Sequence, residues 1–214
     1  MSVTIDELRV ADEPDAWRGA GFAVDQDGLS RVGTVRVRLT GVEAGRGLTG
    51  WSLRGLPVEW SGGDLDGIPT TASAAEMPAP GHHRNGVTHI DHVVLSSPDL
   101  ARTVDVLREV GLEPRRERDG VLGGEPIRQV FYRLGKVILE VIGVPGATSE
   151  GPSRLWGVTY AVADIDATAA YLGAAVGPVK EAVQPGRRIT TLRNREIGIS
   201  VRTALISPHV KRRA

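Results

Sequence analysis

The sequence predicts an α+β fold made from a repeated β-α-β-β-β unit. Two observations lead there. Residues 89–206 run twice through the same order of strand-like and helix-like segments, and the two helices begin alike, at Ser97-Pro98-Asp99-Leu100 and at Ala163-Asp164-Ile165. A third observation points to a site. His92 and Glu140 each stand as a lone ionisable side chain on the apolar face of a strand-like run, where burial is costly without a partner.

The first strand is His89-Ile90-Asp91-His92-Val93-Val94-Leu95-Ser96, whose period of two puts Ile90, His92, Val94 and Ser96 on one face. Ser97 is the expected helix cap, with Pro98 in the first turn. Leu100, Val104 and Leu107 recur at helical spacing, and Gly111 ends the helix. Strands are expected near 113–118, 128–134 and 137–142, the last placing Ile138, Glu140 and Ile142 on one face. The second unit has a strand at 158–162 and a helix capped by Asp164 that carries Ile165, Ala169, Leu172 and Val176 and ends at Gly177. Its later strands are expected near 179–183, 188–192 and 199–205. One such unit exposes an apolar sheet face, so two should pack together.

Residues 1–59 are candidates for a third, degenerate copy. Val3 to Val10 alternates loosely, Asp12 can cap a short helix through Trp17, and Val35-Arg36-Val37-Arg38-Leu39 alternates strictly. The competing reading is an irregular α+β extension. Residues 60–88 read as a Gly/Pro-rich linker, with Pro69, Pro78 and Pro80 resisting regular structure. Residues 207–214 form a short basic tail around Lys211-Arg212-Arg213.

Composition narrows the function classes. The 214 residues are 41% hydrophobic, enough to bury a real core, and Lys+Arg and Asp+Glu both total 26. A neutral chain without arginine–aromatic clustering is not expected to bind nucleic acid, which needs a basic footprint. The absence of cysteine excludes disulfides, thiolate ligands and a thiol nucleophile, so a metal site would use histidine and carboxylates. No apolar run reaches membrane-spanning length, and the acidic start is unlike a signal peptide, so the default expectation is a soluble, cytoplasmic protein with no membrane partner. Gly45-Arg46-Gly47-Leu48-Thr49-Gly50 matches the dinucleotide spacing. The next residues, Trp51-Ser52-Leu53-Arg54, do not start a helix, so the stretch reads as a flexible connection. No phosphate-binding P-loop or serine-hydrolase elbow is present.

Ile90-Asp91-His92-Val93, the Pro98-Asp99-Leu100 helix start and Leu139-Glu140-Val141 together resemble the vicinal oxygen chelate superfamily. That group includes glyoxalase I, extradiol dioxygenases, methylmalonyl-CoA epimerase and bleomycin-resistance proteins. The resemblance covers residues 89–206 and implies an open, eight-stranded half-barrel around a cavity for a small-molecule ligand. It also implies metal ligands at His92 and Glu140, for a divalent ion such as Zn, Fe, Mn or Ni. The second module departs from that pattern. The position matching His92 is Gly157, and the position matching Glu140 is near Ser200. A third ligand would have to come from His82, His83, His89 or another subunit. Without a metal, Glu140 is the candidate catalytic base, since an apolar surround raises a carboxylate's pKa. The alternative pairs Glu140 with an arginine and leaves His92 a neutral core histidine. Arg187 and Arg188 are the candidate anchors for an acidic ligand at the cavity rim, and Trp156 and Tyr160 the candidate stacking walls, with core packing the commoner role of such aromatics.

Three functions are expected on these grounds. The first is a metal-dependent lyase, isomerase or dioxygenase. The second is a metal-free binding protein of the drug-sequestering kind. In the third, an odd N-terminal module pairs with its copy in a homodimer.

Overall fold

The computed structural model describes residues 2–209. Two sheets carry the fold. The C-terminal sheet has eight strands and takes the expected repeat. Its first unit is β7 (Val87–Ser96), α2 (Leu100–Glu109), β8 (Arg116–Leu122), β9 (Glu125–Leu134) and β10 (Val137–Gly143). Its second is β11 (Arg154–Val162), α3 (Ile165–Leu172), β12 (Lys180–Glu181), β13 (Arg188–Thr191) and β14 (Arg202–Ile206). The strand order is β12-β13-β14-β11-β7-β10-β9-β8, a curled half-barrel with β7 and β11 antiparallel at its centre. Within each unit the last strand lies parallel to the first, β10 beside β7 and β14 beside β11.

The helix starts follow from side-chain chemistry, with one change from expectation. Asp99, not Ser97, caps α2: its carboxylate accepts from the Arg102 amide, while the Ser97 hydroxyl accepts from the Asp99 amide. A carboxylate two residues nearer the first turn reaches the free amides better. Asp164 caps α3 as expected, accepting from the amides of Asp166 and Ala167.

The N-terminal sheet has six strands in the order β2-β3-β1-β4-β6-β5. They are β1 (Thr4–Val10), β2 (Leu29–Val32), β3 (Val35–Leu39), β4 (Leu48–Arg54), β5 (Gly63–Leu65) and β6 (Ile68–Ser73), with the short helix α1 (Pro14–Gly19) after β1. Their pairing repeats the C-terminal pattern. β1 and β4 are antiparallel, β3 lies parallel to β1, and β6 lies parallel to β4. This half therefore holds two trimmed units, β1-α1-β2-β3 and β4-β5-β6. Each lacks one strand, and the second also lacks its helix. The expected single degenerate copy is two, and strands β5 and β6 lie inside the stretch read as linker. Pro69 is tolerated near the start of β6 because it stands one residue before the first pair with β4, Trp51 with Thr70. The two half-units pair with each other and β3 lies inside the sheet, so no odd module or free β3 edge calls for a second chain. The Lys211-Arg212-Arg213 tail lies outside the described residues.

Asp12 does not cap α1. Glu13 takes that position, and the Asp12 carboxylate instead accepts from Trp17 Nε1 at 3.0 Å and from the amide and hydroxyl of Ser200. Trp17 and Phe22 pack edge-on against Tyr160 of β11, so one core runs through both halves. The opposite face of the N-terminal sheet carries a network of arginines around Asp6. Asp6 accepts from Arg36, Arg54 and Ser73, and the backbone carbonyls of Ala75 and Glu76 accept from Arg54 and Arg36.

His83 fastens the segment after β6. It is buried, its Nδ1 accepts from the Ala23 amide at 3.0 Å, and its Nε2 donates to the Arg31 carbonyl at 3.1 Å. Burial lowers its pKa, so the neutral ring is the folded form. The unfolded chain then binds the proton more readily, and stability falls as pH drops below the ordinary histidine value of about 6.5. Urea midpoints at about pH 7.5 and about pH 5.5 test this: the wild type is expected to lose stability between them, and His83→Leu to lose less.

Candidate functional site

Strand β7 carries two extra residues against β11, Thr88 near its start and Asp91 at the site. His92 pairs with Thr159 and Ile90 with Tyr160, which leaves Asp91 as a β-bulge. In a regular strand Asp91 and His92 would point to opposite faces. The bulge brings them side by side, and Asp91 Oδ2 lies 2.9 Å from His92 Nδ1. It also sends Ile90 into the core opposite Tyr160, so Ile90 does not share the His92 face as the alternation suggested. Asp91 is held from behind by Arg187, whose Nη2 donates to Oδ1 at 2.6 Å. Burial by itself would push the Asp91 carboxyl up, but hydrogen bonds from His92 and Arg187 and the charge of Arg187 outweigh it and hold the group well below the usual carboxylate range. An ionised Asp91 favours the Nδ1–H tautomer of His92 and leaves Nε2 free.

Nε2 faces Glu140. Glu140 lies one strand over on β10 beside Val94, and its Oε2 is 3.8 Å from His92 Nε2. The other oxygen accepts from Gln129 Nε2, and Gln129 Oε1 accepts in turn from Arg118 Nε at 2.8 Å. Glu140 therefore pairs with an amide and an imidazole rather than with an arginine. The pair is mostly but not fully buried.

The second unit repeats the geometry without the chemistry. Aligning the caps Asp99 and Asp164 maps His92 onto Gly157 and Val94 onto Thr159. The pairing agrees, since His92 sits opposite Thr159 and Val94 opposite Gly157. The bulge of β11 falls at Trp156, the counterpart of Asp91. Glu140 maps onto Ala204, because Glu140 lies beside Val94 and Ala204 beside Thr159. Ser200, expected near that position, precedes β14 and is bound to Asp12. Asp91-His92-Glu140 thus becomes Trp156-Gly157-Ala204. The lost side chains leave a hollow of about 230 Å³ lined by Val94, Gly157, Thr159, Asn194, Arg202 and Ala204, among others. Along one row of the sheet stand Arg202, Gly157, Val94 and Glu140. Three strand spacings put the two charged ends about 14 Å apart at the backbone.

Other expected residues land elsewhere. Arg187 is 2% exposed and bound to Asp91 and the Ser207 carbonyl, so it supports the pair from beneath instead of meeting a ligand at the rim. Arg188 pairs with Asp166 at the start of α3. Tyr160 is a core residue, wholly buried against Trp17 and Phe22, and burial raises its hydroxyl pKa. Trp156 does reach the hollow; it is 38% exposed, with the Arg202 guanidinium 4.6 Å over its ring. His83 is spent on backbone groups, His82 is exposed on the connector, and His89 is exposed beside Thr88. Sequence reasoning missed Asp91, Gln129, Thr159 and Arg202. Asp91 stands in the His-Ile-Asp-His run, but only the bulge turns it toward His92.

A catalytic divalent ion normally takes three protein ligands. His92 and Glu140 supply two, Gly157 and Ala204 carry no donor, and no group of three His, Cys, Asp or Glu residues suited to a metal occurs among the described residues. The donor set by itself falls short of a complete catalytic metal site.

Paired β-α-β-β-β units curling around an open sheet are the vicinal oxygen chelate fold, and solved structures of that superfamily match this chain. A triple mutant of 4-hydroxymandelate synthase from Streptomyces coelicolor aligns over 100% of this chain and 95% of its own, at 13% identity and a TM-score of 0.66. Methylmalonyl-CoA epimerase from Mycobacterium tuberculosis aligns over 63% of this chain and 95% of its own, at 17% identity and a TM-score of 0.47. The Streptomyces coelicolor methylmalonyl-CoA epimerase aligns over 58% of this chain and 99% of its own, at 23% identity and a TM-score of 0.44. No family model and no curated protein matches the sequence. No helix among the described residues is long and apolar enough to cross a membrane.

Proposed function

We propose that this chain binds a small organic molecule in the hollow over Gly157 and Ala204, with Glu140 as the group that acts on it. The observation that carries this is the asymmetry of the half-barrel: the ionisable His92 and Glu140 side chains on one side and an open, small-residue floor beside them. Glu140 is the candidate base for a proton transfer of the isomerase or lyase kind. One of its oxygens is fixed by Gln129, the other faces His92 Nε2, and a ligand resting on the Gly157–Val94 floor lies next to it. Arg202 replaces Arg187 and Arg188 as the residue that would hold an acidic ligand group, and Trp156 forms the stacking wall.

A thermal-shift screen of small organic acids against wild type, Glu140→Gln and Arg202→Gln is the test. A ligand at 100 times its Kd stabilises by about 2.7 kcal/mol, a readable shift. Arg202→Gln should weaken binding. Glu140→Gln should keep binding but abolish exchange of a ligand C–H proton into heavy water, followed by NMR. Acids that shift wild type and Arg202→Gln equally would overturn the placement.

A second reading keeps a divalent ion on His92 Nε2 and Glu140, completed by ligand oxygens. The Asp91–His92 hydrogen bond favours it, since that bond presents the free Nε2 that a metal requires. Elemental analysis of purified wild type and Glu140→Gln separates the two. Stoichiometric metal in wild type that is lost in the variant selects the second reading, and none in either selects the first.

A further inference from the structure

We infer that a basin of arginines at the mouth of the hollow is a binding site for a multiply charged anionic group of a ligand. Four guanidinium-bearing residues, Arg46, Arg193, Arg195 and Arg202, line one open depression of about 700 Å³ together with Asn194, Ser200 and a single carboxylate, Glu196. Elsewhere several arginines are matched by carboxylates, Arg36 and Arg54 with Asp6, Arg102 with Asp66, Arg187 with Asp91 and Arg188 with Asp166, and those that are not, such as Arg84, Arg115 and Arg154, do not gather in one concavity with three others. In the basin Arg193 pairs with Glu196, at 3.9 Å. Among the described residues no carboxylate lies within 4.0 Å of Arg46, Arg195 or Arg202. In a chain of zero formal charge, four cations against one anion in one concavity is a local imbalance. Like charges gathered in this way repel, and an arriving anion relieves that repulsion.

The basin is assembled from both halves. Arg46 comes from the Gly45-Arg46-Gly47 loop, whose glycine-rich spacing failed as a dinucleotide motif. That loop is pinned, since the Gly47 amide donates to Ser200 Oγ at 2.6 Å and its carbonyl accepts from the Ala11 amide at 2.9 Å. Ser200 is fixed in turn by the buried Asp12. Arg193 and Arg195 come from the short 3-10 turn at Asn194–Ile197 and its leading residue, and Arg202 from β14. The planar forks of arginine suit phosphate and carboxylate oxygens, which they bind in pairs. Asn194 and Arg202 line the basin and the hollow alike, so the two spaces adjoin. A ligand can place its charged end among the arginines and its uncharged end over Gly157, toward Glu140. This last placement rests on the function proposed above; the anion site itself does not.

Isothermal titration of the full chain with pyrophosphate, inorganic phosphate and malonate tests the site. Wild type should bind at least one of them saturably and more weakly as salt rises. The double variant Arg46→Gln/Arg195→Gln should lose about tenfold or more in affinity, as expected for removing charge-assisted hydrogen bonds. Both side chains are exposed, and a melting curve checks that the fold is kept. Arg108→Gln, which removes an exposed cation on α2, should bind as wild type does. Preference for the phosphates marks a phosphorylated ligand, and preference for malonate marks a polycarboxylic one. No saturable binding of any of the three, or a double variant no weaker than Arg108→Gln, would overturn the proposal. Glu140→Gln should leave this affinity unchanged. Pyrophosphate binding that persists while no organic acid occupies the hollow would therefore sink the ligand reading above and leave the anion site standing.

Discussion

Replacing Arg187 with leucine is expected to cost about 3–5 kcal/mol of folding stability, the usual consequence of stranding one member of a buried ion pair. Arg187 and Asp91 are both buried and meet at 2.6 Å. Without the guanidinium, the Asp91 carboxylate keeps only His92 as a partner. Double replacement, Arg187→Leu with Asp91→Asn, should recover much of the loss, because no charge is then left buried. Chemical denaturation of the wild type, both single variants and the double variant measures the coupling. A double variant as unstable as Arg187→Leu alone would show that Arg187 acts through packing and the Ser207 carbonyl. The pH dependence carries a sign. The folded Asp91 carboxyl sits below its unfolded value, so its contribution is complete above the ordinary aspartate pKa of about 3.9 and fades as pH falls below it. The gap between wild type and Arg187→Leu should therefore narrow in acid. The single variant should also disturb the site, since Asp91 orients His92.

The second large effect is expected at Asp12. Its carboxylate is almost wholly buried and accepts from Trp17 Nε1 and from the amide and hydroxyl of Ser200. Asp12→Ala leaves those donors without their acceptor inside the protein. Hydrogen bonds to a charged group are worth about 1.5–3 kcal/mol each, and some will be regained from water, so a loss of about 3 kcal/mol is expected. For a chain of this size that corresponds to roughly 6–12 °C in Tm. Faster amide exchange should appear at Gly47 and Ser200 ahead of global unfolding, because Asp12 joins the N-terminal half to the residues before β14. Unchanged exchange at those two amides would show that the core around Trp17 and Tyr160, rather than Asp12, holds the halves together.

Much of the C-terminal half was legible in the residues. Strand alternation, the Asp164 cap and the repeat itself are local, and local periodicity is what a sequence displays. Glu140 and His92 stood out because a charge among isoleucines and valines is costly. Gly157 was found by counting back from the caps, since both units keep the same spacing between first strand and helix. The counterpart of Glu140 was misplaced because the stretch between α3 and β14 is irregular, with strands of two and four residues and a 3-10 turn, so no count from the cap reaches Ala204. The N-terminal half was harder to read. Its two units have each lost a strand, and β5 and β6 are too short and too rich in Gly, Pro and Thr to show a period.

What the sequence determined by itself is the set of elements and the kind of side chain each brings, because propensity, capping and alternation act over a few residues. What only the tertiary structure decided is which groups meet. One extra residue in β7 turns Asp91 toward His92, and a matching one in β11 places Trp156 over the hollow. Register sets Ala204 beside Thr159, and chain closure over long separations carries Arg187 beneath Asp91 and Arg46 to Arg202. A bulge moves a side chain to the other face of a sheet without leaving a mark in the alternation of residues, and pairing between distant strands is fixed by packing that no short window of sequence contains.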